Sequence, residues 1–196
     1  MNIQDKKGFT LTELLITVGI IAILTATVIV VINPVEYLKQ ARDTKRLAHM
    51  GDLRALLSRY QYSGQRVDSM GTSDTLYVSL VDASSSSCAS LDLPSLGGSW
   101  VYHCVTSESD LRKSDGTGWI PVNLSSLRAG ALPIDPLNEV TGGRYYRYAV
   151  SGDFFELNTT LESEKYSSGG ASDKITTDGG NSSSLFEAGS SLEVID

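Results

Sequence analysis

A lone carboxylate, Glu13, stands inside residues 9–32, FTLTELLITVGIIAILTATVIVVI, where none of the other residues is charged and no proline interrupts a helix. A charge this near an apolar segment costs up to about 3 kcal/mol if left unpaired at the centre of a membrane. Glu13 must therefore be neutral or paired, unless it reaches back to the membrane edge as a helix-end residue. Two cysteines, Cys88 and Cys104, and two histidines leave almost no material for a zinc site, an iron-sulfur cluster or a histidine-based catalytic centre. His103 adjoins Cys104, but neighbours on a strand point to opposite faces, so the pair does not read as a nucleophile and its base.

The elements that must position these residues follow from composition. The 196 residues are 41% hydrophobic and 20% charged, enough apolar material for one modest globular core. A net charge of −7 argues against a general nucleic-acid binder. That average conceals an asymmetry: residues 1–60 carry eight basic and five acidic side chains, while residues 61–196 carry eight and eighteen. Residues 9–32 would form about 36 Å of helix against a hydrocarbon core of about 30 Å, long enough to span a membrane. Lys6 and Lys7 precede this span, so the short N-terminus is expected in the cytoplasm and the acidic remainder outside.

Past the span, Pro34 suits either the first turn of a new helix or a kink in a continuous one. Leu38, Ala41, Ala48, Met50, Leu53, Leu57 and Tyr60 recur at largely helical spacing, so an amphipathic helix should run to about residue 60. Arg42, Lys45 and Arg46 form a basic run on it, expected to be a solvated or inter-subunit salt-bridging face, with a nucleic-acid contact as the secondary reading. From residue 63 the composition turns to Gly, Ser, Thr and Asp, with short β-rich runs at 76–81, 100–105, 119–122, 145–150 and 154–161. Residues 151–153 read as a three-residue hairpin turn. One antiparallel sheet laid against the second half of the helix would cover both apolar faces, an α+β arrangement. Cys88 and Cys104 enclose a loop whose size suits a disulfide in an exported domain, worth about 3 kcal/mol; two free buried thiols are the alternative.

The segment Lys6, Lys7, Gly8, Phe9, Thr10, Leu11, Thr12, Glu13 resembles the class III signal of type IV prepilins and type II secretion pseudopilins. It joins a basic pair, a glycine, a phenylalanine and a glutamate five residues past a cleavage point at the edge of an apolar helix. The resemblance implies that a prepilin peptidase cuts after Gly8, leaving residues 1–8 as a leader, and that the new amine of Phe9 is methylated. It further implies a pilin-like long helix over residues 9–60, with residues 9–32 first in the cytoplasmic membrane and then in a filament core. Glu13 would pair with the Phe9 amine of a neighbouring subunit during assembly. Many members carry a proline where this sequence has Val30, so Pro34 is displaced from the family pattern.

Residues 132–138, LPIDPLN, followed by Gly142, Gly143, Arg144, Tyr145 and Tyr146, resemble a signature of the major pseudopilins and related Gram-positive-type pilins. Pro133 and Pro136 stiffen the turn, and Asp135 can bond its own backbone. That resemblance implies a C-terminal loop that often holds a calcium ion, for which Asp173, Asp178 and Asn181 are the oxygen donors, the two aspartates foremost, with loop carbonyls supplying the rest; a flexible acidic loop without a metal is the competing reading. The expected protein is thus a non-enzymatic subunit of a helical homo-oligomeric pilus-like filament. Its partners would be a prepilin peptidase and an assembly platform with its ATPase, and its location the cytoplasmic membrane and then an extracellular filament. A secretion pseudopilin is one alternative. A membrane-anchored adhesin or sugar-binding domain that never polymerises is another, with Trp100, Trp119, Tyr145, Tyr146 and Tyr148 as stacking residues.

Overall fold

The computed structural model describes residues 8–63 and 70–195. The leader residues Asp5, Lys6 and Lys7 lie outside the described residues. The chain divides into two compact units, Met1–Leu38 and Lys39–Asp196.

The first unit is dominated by α1, Leu11–Ile32. Its apolar side chains are exposed all round, from Leu14, Leu15 and Ile16 through Ile20, Ile23 and Leu24 to Val28 and Ile29. The helix ends at Asn33, which adopts a left-handed conformation with φ of 46°, one that a short polar side chain tolerates better than most. Pro34 then opens α2, Pro34–Tyr62, where a first-turn residue needs no N–H. Asn33 O accepts the Glu36 N–H at 3.0 Å. Of the two roles open to Pro34, a new helix is the one adopted.

In the second unit α2 lies against a sheet of five strands: β1 Thr75–Val81, β2 Val101–Val105, β3 Arg147–Ser151, β4 Phe154–Thr159 and β5 Phe186–Gly189. Their order is β2-β1-β3-β4-β5. The β1–β3, β3–β4 and β4–β5 pairs are antiparallel, but β1 and β2 run parallel. A parallel pair needs a long crossover, and here it is the segment that carries Cys88. On the inner face, Met50, Leu53, Leu57 and Tyr60 of α2 join Tyr77, Tyr146, Tyr148, Val150, Phe155 and Leu157. The opposite face is also buried: Leu76, Val78, Leu80, Tyr145 and Ala149 lie under Leu91, Leu93, Leu96 and Trp100 of the crossover and under Val194 and Ile195 of the C-terminal tail. That double burial explains why β1 reads as a near-continuous apolar run.

Several expectations are corrected. Residues 119–122 form no strand; Trp119, Ile120 and Val122 are buried in irregular backbone. Pro121 has no N–H for a ladder, and Gly118 packs so closely on the Lys113 carbonyl that a Cβ would lie 2.0 Å from its oxygen. The hairpin turn is two residues, since Ser151 pairs with Phe154 and Gly152 supplies a φ of 55°. Strand β5 was not expected, because FEAG carries little β-branched signal.

Candidate functional site

At the N-terminus Gly8 and Phe9 are exposed, and a Cβ on Gly8 would meet nothing within 4 Å. A peptide bond between two such residues is open to a protease cleft. Thr10 is the N-cap of α1, with φ −81° and ψ 153°, and with Glu13 it forms a reciprocal capping box. Thr10 N–H and Thr10 Oγ1–H donate to Glu13 Oε2 at 2.9 and 2.8 Å, while Glu13 N–H donates to Thr10 Oγ1 at 3.3 Å. Glu13 therefore has hydrogen-bond partners within its own chain. The sequence signal for this box is T-x-x-E ahead of an apolar run, a local pattern distinct from the charge of Glu13.

The polar side chains deeper in α1 are also satisfied internally. Thr17 Oγ1 donates to Leu14 O at 2.9 Å, Thr25 Oγ1 to Ile21 O at 2.8 Å and Thr27 Oγ1 to Ile23 O at 3.0 Å. Such back-bonding leaves the helix no unmet hydroxyl that would penalise an apolar environment. The stretch Leu11–Ile29 is long and apolar enough to cross a membrane.

In the second unit, helical spacing from Met50 back towards the N-terminus leads to Arg46 and Asp43, both fully buried. The expectation of a solvated Arg46 is thus corrected, whereas Lys45 is exposed. Arg46 Nε and Nη2 donate to the two oxygens of Asp135 at 2.5 and 2.9 Å, and Nη1 donates to Asp43 at 2.8 Å and Glu162 at 2.6 Å. Arg42 holds Glu162 from the other side with a bidentate pair at 2.6 and 2.8 Å. Burial alone would push the Arg46 guanidinium down, but the bonds from Asp135, Glu162 and Asp43 outweigh it and raise it. Burial likewise opposes ionisation of Glu162, yet the two arginines hold it down at about 2. Asp135, the acid of the LPIDPLN segment, also accepts the Leu137 N–H at 2.9 Å, so its turn is pinned to α2.

Cys88 and Cys104 are bonded, with their Cα atoms 5.4 Å apart. His103 packs on Tyr77 at a centroid distance of 5.1 Å, while Cys104 belongs to the opposite face of the sheet. Asp173 accepts N–H bonds from Gly169, Ile175 and Thr176, and Asp178 accepts them from Gly180 and Glu187. Both carboxylates close turns of their own loop, and among the described residues no group of three His, Cys, Asp or Glu is placed to hold a metal ion. Of the aromatic residues considered for sugar stacking, Trp119, Tyr145, Tyr146 and Tyr148 are buried, which leaves Trp100 half-buried at the surface.

The chain is thus an α+β protein with an exposed apolar N-terminal helix, capped by Thr10 and Glu13 and long and apolar enough to cross a membrane. The family model described as the prokaryotic N-terminal methylation motif matches residues 3–29. This motif is the class III signal peptide of type IV pilins. Together with α1 it supports a type IV pilin-like or pseudopilin precursor processed by prepilin peptidase. No curated protein and no solved structure matches the chain.

Proposed function

We propose that the chain is a structural subunit, without catalytic activity, of a type IV pilus-like extracellular filament. A prepilin peptidase cuts between Gly8 and Phe9, and the Phe9 amine is methylated. The mature subunit waits in the cytoplasmic membrane through α1 until an assembly platform and its ATPase draw it into a helical homo-oligomer. What carries the reading is the methylation motif at residues 3–29 running into a helix of 22 residues with exposed apolar side chains. Such a surface is stable in lipid or among copies of itself, and in water it is a liability. On assembly, Glu13 exchanges its bonds to Thr10 for the Phe9 amine of an adjacent copy, so a charge is never left alone among Leu11, Leu14 and Leu15. A short secretion pseudopilus is the second form of the same reading, supported by the resemblance of the LPIDPLN turn to that of the major pseudopilins.

The test is co-expression with a prepilin peptidase, followed by intact mass and electron microscopy. A mass starting at Phe9 with one added methyl group, and filaments that disappear with a Gly8→Val precursor, are the expected results. A chain that keeps Met1 beside an active peptidase refutes the reading. Filament length separates pilus from pseudopilus.

A further inference from the structure

The crossover between β1 and β2 leaves an open cleft of about 430 Å³ where it returns to the sheet. Trp100, the last residue of the crossover, and Tyr102 of β2 stand two residues apart and so share one face of the strand. Both are half-buried and line the cleft. Asp92, Pro94, Ser95 and Leu96 line it from the crossover. Tyr102 Oη–H donates to Pro94 O at 2.9 Å, and the buried Cys88–Cys104 bridge ties the start of the crossover to β2. The two sides are thus held together without a ligand, which spares a ligand the cost of ordering them. A second cavity of about 270 Å³ borders Trp100 and Leu96 from the side of Gly97, Gly98 and Ile195, so the indole is reached from two directions.

An indole offers an apolar plane with a donor N–H at its edge. The Trp100 side chain makes no hydrogen bond among the described residues, and neither do the exposed side chains of Asp92 and Ser95. The cleft therefore sets an aromatic plane beside a carboxylate that accepts and a hydroxyl that both donates and accepts. A pyranose ring is the matching shape, with C–H groups on its face and hydroxyls around its rim. An anionic ligand is disfavoured, because no Lys, Arg or His among the described residues lines the cleft and residues 61–196 carry eight basic against eighteen acidic side chains. A quaternary ammonium wants an aromatic cage, whereas Trp100 and Tyr102 stand on one side only. A peptide laid along β2 needs free main-chain groups, yet the Cys104 N–H already donates to Ser86 O at 2.8 Å and Pro94 O is taken by Tyr102.

We propose that this cleft is a binding site for a neutral saccharide, one pyranose ring stacking on Trp100 while its hydroxyls donate to Asp92 and exchange hydrogen bonds with Ser95. In the filament reading each copy carries one such cleft, and weak single sites add through multivalency. The cleft lies wholly in the second unit, so binding by the isolated chain is a separate question from whether filaments form.

The test is saturation-transfer NMR on the full chain, held in a polyoxyethylene detergent free of sugar and of choline, with five neutral probes: chitotriose, cellotriose, maltotriose, mannotriose and lactose. At least one should bind saturably with Kd of about 1 mM, and transfer should be strongest to the C–H protons of one ring face. Trp100→Leu keeps an apolar side chain on Leu96 but removes the plane, and about tenfold weaker binding is expected. Asp92→Asn keeps a residue that tolerates the φ of 49° at this position and should also weaken binding about tenfold by removing the charged acceptor. Because Asp92 is exposed and makes no contact that holds the fold, that variant decides the matter even if Trp100→Leu is unstable. Absence of saturable binding by all five probes at about 20 mM overturns the site, as does an affinity that neither substitution changes. Binding of choline or of a proline-rich peptide where every saccharide fails would give the cleft a different occupant and equally refute the proposal.

Discussion

Replacing Arg46 by methionine takes the guanidinium away from three carboxylates, two of which, Asp43 and Asp135, are fully buried. Glu162 keeps Arg42, Asp43 keeps the N–H bonds of Glu162 and Ser163, and Asp135 keeps the Leu137 N–H. What is lost is the charge compensation of Asp43 and Asp135 together with a bidentate fork. Removing one partner of a buried ion pair costs about 3–5 kcal/mol, and the surviving N–H bonds place Arg46→Met near the middle, about 4 kcal/mol. For a chain of this size that corresponds to roughly 8–16 °C in melting temperature. Arg46→Lys keeps a positive charge but cannot serve Asp135 with two parallel bonds, so about half the loss is expected. Thermal and urea unfolding of the full chain in detergent, followed by Trp119 fluorescence, measures both. Adding Asp135→Asn to Arg46→Met should recover part of the loss, because it removes a charge left without a partner; a coupling of about 2 kcal/mol is expected. If Arg46→Met costs less than about 1 kcal/mol, or if the two substitutions are additive, the cluster does not tie α2 to the LPIDPLN turn as described.

Glu13→Gln separates the observed capping from the proposed charge pairing, since glutamine can complete a capping box with Thr10 but carries no charge. Filament yield should fall for Glu13→Gln as far as for Glu13→Leu while both variants reach the membrane fraction; normal filaments from Glu13→Gln would assign the residue to capping alone. Glu162 is held at about 2 against an ordinary 4.5, so its contribution of about 3 kcal/mol is present above pH 4.5 and lost as pH falls towards 2. Denaturant midpoints of the parent and of Glu162→Gln should therefore converge between pH 4.5 and 2, and a constant gap would contradict the assignment.

The sequence by itself determined the features that depend on local pattern. A run of 24 residues with a single charge defines the membrane-length helix, and Lys-Lys-Gly-Phe at its start carries the resemblance to a prepilin signal, because both are read from one contiguous segment. The stripe Met50, Leu53, Leu57, Tyr60 was legible for the same reason, as were the runs that became β1, β3 and β4, whereas Pro34 fitted a new helix and a kink equally and the left-handed Asn33 decided for the new helix. Tertiary structure decided whatever depends on residues far apart in the chain. Arg46 reads locally as one more surface cation and is buried because Asp135 and Glu162, 89 and 116 residues away, supply its counter-charges. FEAG becomes β5 because β4 offers it a ladder, not because of its own propensity. Trp119 to Val122 look like a strand and are core without being sheet, since Gly118 and Pro121 fit a tight irregular path. Glu156 and Glu187 read locally as ordinary surface acids; burial of Glu156 beneath the tail and of Glu187 beneath the loop at Gly180 and Ser182 leaves each with an oxygen that has no partner among the described residues, and no local pattern encodes that environment.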